Sequence, residues 1–453
     1  MKKNDRIELN ITAMSSEGVG LGRSDGMAVF VSGTAVGDVV LAHIIKVKSR
    51  YAIGKLVQVL KPSEDRKDVD CPAFKSCGGC AFRHITYESE LAVKQKTVED
   101  AINRIGGIPL KSQKIIPSPK YEGYRNKAQY PITMGENGIS YGFFARHSHR
   151  VIQSNNCFLQ PRVFEDIMQT IKAWADKNGV IAYNEETKTG LLRHVLIRRG
   201  EKTGEIMVVP VINGDKLPNS NELIQMLKEA VGENFKSLCY NINTSDSNVV
   251  LGDKNVFVYG NHTIKDVLCG VCLEISPHSF YQVNRDAAEL LYKKAAEYIK
   301  PEHRVIVDLY CGIGSIGLSL LKLCGSEGRR LYGVEIVPQA VENAKKNAVA
   351  NGFAECEFIC GDASKAALEL KVKKISPDVV VLDPPRKGCN AELLNTVAFD
   401  FAPERIVYIS CDPSTLARDS KILVENGYKL ERYTPVDLFP GTAHVETVAL
   451  FTK

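Results

Sequence analysis

The chain has 453 residues, 44% hydrophobic and 25% charged, with a net charge of +5. That length exceeds what one hydrophobic core organises, so two or three domains are expected, and the composition excludes a disordered or collagen-like chain. No window reaches the apolar length of a membrane helix, and "MKKNDRIELN" has no apolar stretch behind its lysines, so a cytoplasmic protein with no membrane partner is expected. The mild basicity is compatible with a nucleic-acid partner.

Residues 5–60 carry short strand-like runs ("RIELNITAMS", "MAVFVSGT", "DVVLAHIIKVK", "AIGKLVQVL") separated by Gly, Ser and Asp turns, which predicts a five-stranded barrel of the oligonucleotide-binding kind. Lys46, Lys48, Arg50, Tyr51 and Lys55 lie together in "KVKSRYAIGK". They suit an RNA backbone and a stacked base, or equally an edge strand guarded by lysines. A charged linker, "LKPSEDRKDVD", leads into "CPAFKSCGGC" and an amphipathic helix. From 122 to 265 strands and helices mix as in an α+β domain. The expected division is residues 1–62, 63–275 and 276–453.

Thirteen cysteines in a reducing compartment call for another role than disulfides. Cys239, Cys269, Cys272, Cys356 and Cys360 sit in apolar runs and are expected to be small buried hydrophobes. Cys71, Cys77 and Cys80 are clustered, with glycines 78 and 79 letting the backbone turn tightly. Three thiolates leave a tetrahedral set incomplete, and polar-flanked Cys157 in "QSNNCFLQ" is the expected fourth. Four such ligands fit a [4Fe–4S] cluster or a structural zinc; a single C-x2-C pair favours the cluster.

Beyond residue 290 strands and helices alternate regularly, which predicts a doubly wound parallel sheet. "RVIVDLYCGIGSIGLSLLK" reads as strand, glycine turn (312, 314, 317) and helix. Successive strands then end at Glu335, where a carboxylate can accept from ribose hydroxyls, at Asp362 for an adenine-side contact, and at Asp383 of "LDPPRKG". Ligands of open parallel sheets gather at these strand ends. A further apolar run stops at Ser410-Cys411-Asp412-Pro413, which leaves Cys411 at the same edge. An Asp-Pro-Pro there points to an S-adenosylmethionine enzyme acting on a nucleobase.

"SPHSFYQVN", "DLYCGIGSIGL", "LDPPRKG", "SCDPSTLARD" and "AHVETVALF" together resemble the RNA (uracil-C5)-methyltransferase family, over essentially the whole chain. The first barrel resembles a TRAM domain, and the cysteine spacing resembles the iron–sulfur members of the 23S ribosomal RNA branch. The resemblance implies a class I methyltransferase sheet, S-adenosylmethionine and a [4Fe–4S] cluster as cofactors, and a pocket of Gln282, Tyr310, Gly312, Glu335, Asp362 and Asp383. It also implies Cys411 as nucleophile and Glu446 as base. The chemistry demands both: uracil C5 becomes nucleophilic once a thiolate adds at C6, and a base must then remove the C5 proton. Asp383 would bond the uracil edge, with Arg386 nearby and His444 positioning the Glu446 loop. Cys311 and Cys389 are expected to be bystanders. The substrate is expected to be an RNA loop with a flipped uridine, bound by a monomer. A transfer-RNA substrate, or a non-catalytic RNA-binding assembly factor, are the alternatives.

Overall fold

A computed structural model describes residues 1–453. Strands Arg6–Met14, Val19–Ser24, Met27–Ser32, Val39–Val47 and Tyr51–Lys61 close into a barrel. Their inward residues Leu9, Ile11, Val29, Val31, Val40, Ala42, Ile44 and Ala52 form its core. The period-two alternation of a half-buried strand is what the sequence shows there.

The middle of the chain builds a seven-stranded sheet with Lys254–Gly260 at one edge and Val151–Gln153 at the other. Ile206–Ile212, near its centre, is buried at every position because both faces are covered. Ile206, Val208 and Ile212 pack under helices Arg162–Lys177 and Ser220–Val231, while Met207 and Val209 join the core of the C-terminal sheet.

That C-terminal sheet runs, from one edge, Cys356–Cys360, Arg330–Glu335, Val305–Leu309, Val379–Leu382, Arg405–Ser410, Glu446–Thr452 and Lys429–Val436. Its first five strands are parallel, Glu446–Thr452 runs antiparallel to them, and Lys429–Val436, antiparallel to that strand, runs with the first five. The hairpin Ile264–Leu268 and Val271–Ile275 packs into this core. Helix Tyr87–Arg104 also packs there, with Val98 and Ile102 in the same cluster as Leu416 and Ala417 of helix Pro413–Glu425. Cys360 is exposed rather than buried, because its strand is the sheet edge. Cys272 and Cys356 are half-buried; Cys239 and Cys269 are buried. No helix is long and apolar enough to cross a membrane.

Candidate active site

One cavity of about 1,090 Å³ lies at the carboxyl ends of the parallel strands. Gln282, Tyr310, Gly312, Glu335, Asp362, Asp383, Cys411 and Glu446 all line it. Parallel strands place those ends together, so residues far apart in sequence meet there.

The glycine turn shapes one side. Gly312 (φ +56°) borders the cavity with no protein atom within 4 Å of where a Cβ would stand. Glu335 supports this turn: one carboxylate oxygen accepts from Gly312 N at 3.1 Å and the other from Val337 N at 2.9 Å. Asp308 Oδ2 accepts from Gly317 N at 3.0 Å, and burial first, then Asp383 and Glu335, push its carboxyl up to about 8. Tyr310 holds a φ of +73°, a left-handed conformation that costs a non-glycine residue on the order of 1–3 kcal/mol and clusters at functional sites. Asp362 caps helix Ala363–Val372, accepting from Ser364 N and Lys365 N through one oxygen while the residue still faces the cavity. Gln282 is buried, its main-chain carbonyl accepting from Asn126 Nδ2 at 2.9 Å.

The opposite side carries the reactive groups. Cys411 follows strand Arg405–Ser410, where Asp412 turns away to cap helix Pro413–Glu425. Glu446 opens strand Glu446–Thr452, paired across from Val436. It is 3% exposed, and its Oε2 has no hydrogen-bond partner, so the carboxyl is free to meet a substrate in the cavity it lines. Burial, reinforced by Asp383 and opposed by Arg386, pushes Glu446 up to about 8. Burial pushes Asp383 up to about 7. Cys411 is raised to about 12, by burial first, then by Glu446 and Asp383, with Arg386 pulling the other way. Groups tuned toward neutrality in one cleft mark acid–base chemistry.

Sequence reasoning missed Asp419 and the bond between Arg386 and His444. Cys389, expected to be a bystander, lines the cavity and bonds its backbone N–H to buried Asp419 at 2.8 Å. Asp419 also accepts from Tyr408 OH at 2.6 Å and from Arg418 Nε at 2.8 Å. Arg386 donates to His444 Nε2 at 3.3 Å. Cys311 is buried and does not line this cavity.

A second groove of about 790 Å³ joins the first at Cys411, Arg386 and His444 and runs between barrel residues 12–17, the end of the first strand and the turn after it, and Lys96, Thr97 and Arg104 of the long helix. A third cavity, about 300 Å³, is lined by Cys71, Cys77, Cys80 and Cys157 together with Arg125 and Lys127. Gly78 is there because its backbone lies against Phe144 and Arg146, donating to Phe144 O at 2.9 Å, and not because of a left-handed φ. Buried Arg83 braces the cavity by bonding Asp70 and Glu122 and stacking 4.6 Å over Phe158, the neighbours of Cys71 and Cys157 among them. No three His, Cys, Asp or Glu side chains close to the spacing that would hold a metal ion.

The sheet order and the site at its strand ends are those of a class I S-adenosylmethionine-dependent methyltransferase. The pattern described as tRNA (Uracil-5-)-methyltransferase matches residues 254–453, and that of the TRAM domain matches residues 2–57. A Clostridium tetani protein named an uncharacterized RNA methyltransferase is 41% identical, covering 100% of this chain and 97% of that one. One of the same name from Bacillus cereus is 40% identical, covering 100% and 98%. The crystal structure of Pyrococcus abyssi tRNA (uracil-54, C5)-methyltransferase, in complex with S-adenosyl-L-homocysteine, aligns with a TM-score of 0.79 at 27% identity, covering 98% of this chain and 100% of that one. The chain belongs to the S-adenosylmethionine-dependent RNA (uracil-5) methyltransferase family, with a TRAM barrel at its N-terminal end.

Proposed function

We propose that this protein methylates C5 of a uridine in 23S ribosomal RNA, through a covalent adduct between Cys411 and C6 of the base. The observation that carries the reading is the meeting of Cys411, Glu446 and Asp383 on one cavity beside the glycine turn. S-adenosylmethionine fits that cavity: its volume is at the upper end for small-ligand sites, and a glycine backbone with open space borders it. Gln282, Tyr310, Gly312, Glu335 and Asp362 would hold it, and when bound it supplies an electrophilic methyl group on a sulfonium. Cys411 loses its proton to water and adds to C6, and the ring's π electrons move onto O4, where Asp383 in its protonated form donates a hydrogen bond. Once C5 carries the methyl group, Glu446 takes the C5 proton, the C5=C6 bond reforms and the pair of the S–C6 bond returns to Cys411. A uridine must leave its stack to reach that depth, and the groove between barrel and helix is its route. Lys46, Lys48, Arg50 and Lys55 at the barrel hairpin supply phosphate contacts, with half-exposed Tyr51 edge-on to Phe30 at 5.8 Å as a stacking surface. The protein is assigned to the cytoplasm as a monomer, divided at residues 62 and 275 as the sequence implies.

The four-thiol cavity fits a [4Fe–4S] cluster better than zinc. A Zn–S bond of about 2.3 Å would draw four sulfurs to one point and leave no cavity. Here the thiols are four of the sixteen residues that line about 300 Å³. Burial, then Arg198 and Arg125, push Lys127 down to about 7, and thiolates would supply the anions this cationic wall lacks. Bound by Cys71, Cys77, Cys80 and Cys157, the cluster would tie the 71–80 segment to the central sheet.

The barrel with the cysteine cavity favours the ribosomal substrate. Full-length similarity to a protein named for tRNA uracil-54 favours a transfer-RNA substrate instead. Mapping 5-methyluridine in ribosomal and transfer RNA from cells with and without the gene decides: a site lost only from 23S RNA supports the proposal, and a site lost only from tRNA replaces it.

A further inference from the structure

Both large cavities share Arg386, Cys411 and His444, so the guanidinium stands where the donor cavity and the RNA groove meet. The charges facing Cys411 are two carboxylates, Glu446 and Asp383, and one cation, Arg386. Asp412, next in sequence, is turned away into its helix cap.

The placement of that cation is built in. His444 is exposed at the mouth shared by the two cavities, and its ring is pushed down to about 4, by partial burial first and then by Arg386 itself, which keeps it neutral. A neutral imidazole presents one lone pair, and Nε2 receives the Arg386 Nη2–H at 3.3 Å, which leaves the ring proton on Nδ1. His444 is steadied edge-on by Phe439, with ring centroids 6.0 Å apart. Behind Arg386 the loop is bolted down: Gly388 N bonds Pro385 O at 2.8 Å, Arg418 bonds Lys387 O at 3.0 Å, and Cys389 N bonds buried Asp419 at 2.8 Å. An arginine has five N–H donors in a fixed fork. With one committed to His444, the others remain for the reacting atoms.

We infer that Arg386 is a further catalytic residue, whose guanidinium offsets the negative charge formed on Cys411 and on the pyrimidine ring, and that His444 is the positioning residue that aims it. The inference rests on Cys411 being the nucleophile. In the step served, the S–H bond breaks with its proton going to water and the S–C6 bond forms. The C5=C6 pair ends on O4 as an enolate, so charge appears first on sulfur and then on oxygen, within the cavity that Arg386 lines. No oxidant or reductant enters.

The test reads the thiol directly, without RNA or methyl donor. Alkylation of Cys411 by iodoacetamide at a fixed, mildly alkaline pH is followed on its own peptide by mass spectrometry, in the wild type, R386Q, R386K and H444A. A nearby opposite charge shifts a pKa by about 1–3 units, and Arg386 opposes burial and two carboxyls at Cys411, so R386Q should slow Cys411 alkylation about 10-fold. R386K should keep part of the rate, which guards against a merely unfolded variant, and H444A should fall between. With RNA, R386Q should lower kcat and leave the Kd for S-adenosylmethionine unchanged. Wild-type alkylation in R386Q, or a defect confined to the KM for RNA, overturns the inference and assigns Arg386 to phosphate binding. Loss of the covalent mechanism itself is read separately, by the absence of a trapped adduct with 5-fluorouridine RNA.

Discussion

Replacing Glu446 with glutamine tests the electrostatics of the site through stability as well as rate. Glu446 is 3% exposed, and its carboxyl is raised from 4.5 to about 8, mainly by burial and then by Asp383. A raised carboxyl makes the folded state hold a proton that the unfolded chain has already released. The stability it contributes is therefore fully present below pH 4.5 and lost as pH rises to about 8, with nothing further lost above. Linkage gives a slope of about 1.4 kcal/mol per pH unit inside that window, or ~2.5 kcal/mol between about pH 5.5 and about pH 7.5. Glutamine has no proton to lose and removes this term, while Asp383, which titrates in the same direction, is common to both proteins. Urea unfolding of wild type and E446Q at both pH values, compared as a difference of differences, measures it. Parallel pH dependence in the two proteins would refute the buried, proton-holding Glu446. In turnover Glu446 works as carboxylate and Asp383 as acid, so the wild-type rate should peak between about pH 7 and about pH 8 and fall on either side, and E446Q should stall with its adduct unresolved.

Cys411→Ala should lose turnover by several orders of magnitude while isothermal titration finds S-adenosylmethionine binding within about 2-fold of wild type, because the donor contacts lie on other strands. Gly388→Ala should cost about 2–3 kcal/mol and most activity: the residue has φ +73°, and a Cβ would lie 2.5 Å from Arg418 Nη2 and 2.6 Å from Asp419 Oδ2. Unchanged thermal stability would show that this loop is not bolted as described. Anaerobic purification should give a brown protein with about four iron and four sulfide per chain, and Cys157→Ser should lose both; zinc instead would reverse the cluster assignment.

The donor side of the cavity was legible in the sequence because a parallel sheet converts strand ends into a common rim. Glu335, Asp362, Asp383 and Cys411 each follow an apolar run, and the fold brings those ends together. The barrel was legible for a local reason, the alternation of inward and outward residues along its strands. What escaped depends on contacts between loops. The Arg386–His444 bond joins residues 58 apart in sequence, and Asp419 reaches Cys389 from a helix whose pattern shows only amphipathicity. Cys360 looked buried because its flanks are apolar, yet an edge strand leaves one side to solvent. Helix Tyr87–Arg104 precedes the central sheet in sequence but buries Lys94 between Glu90 and Asp437, 2.7 Å from each, so its partner is the loop leading to Glu446. An i,i+4 Glu–Lys pair reads as a solvated helix face until that distant third charge is known.

The central claim is that Cys411 attacks a uridine in RNA, and 5-fluorouridine RNA tests it most directly. Fluorine at C5 leaves Glu446 no proton to remove, so the adduct cannot resolve. With S-adenosylmethionine present, a denaturing gel should show a protein–RNA species, and peptide mass spectrometry should place the nucleotide on Cys411. No such species with competent RNA, or a nucleotide carried by another of the thirteen cysteines, would contradict the account.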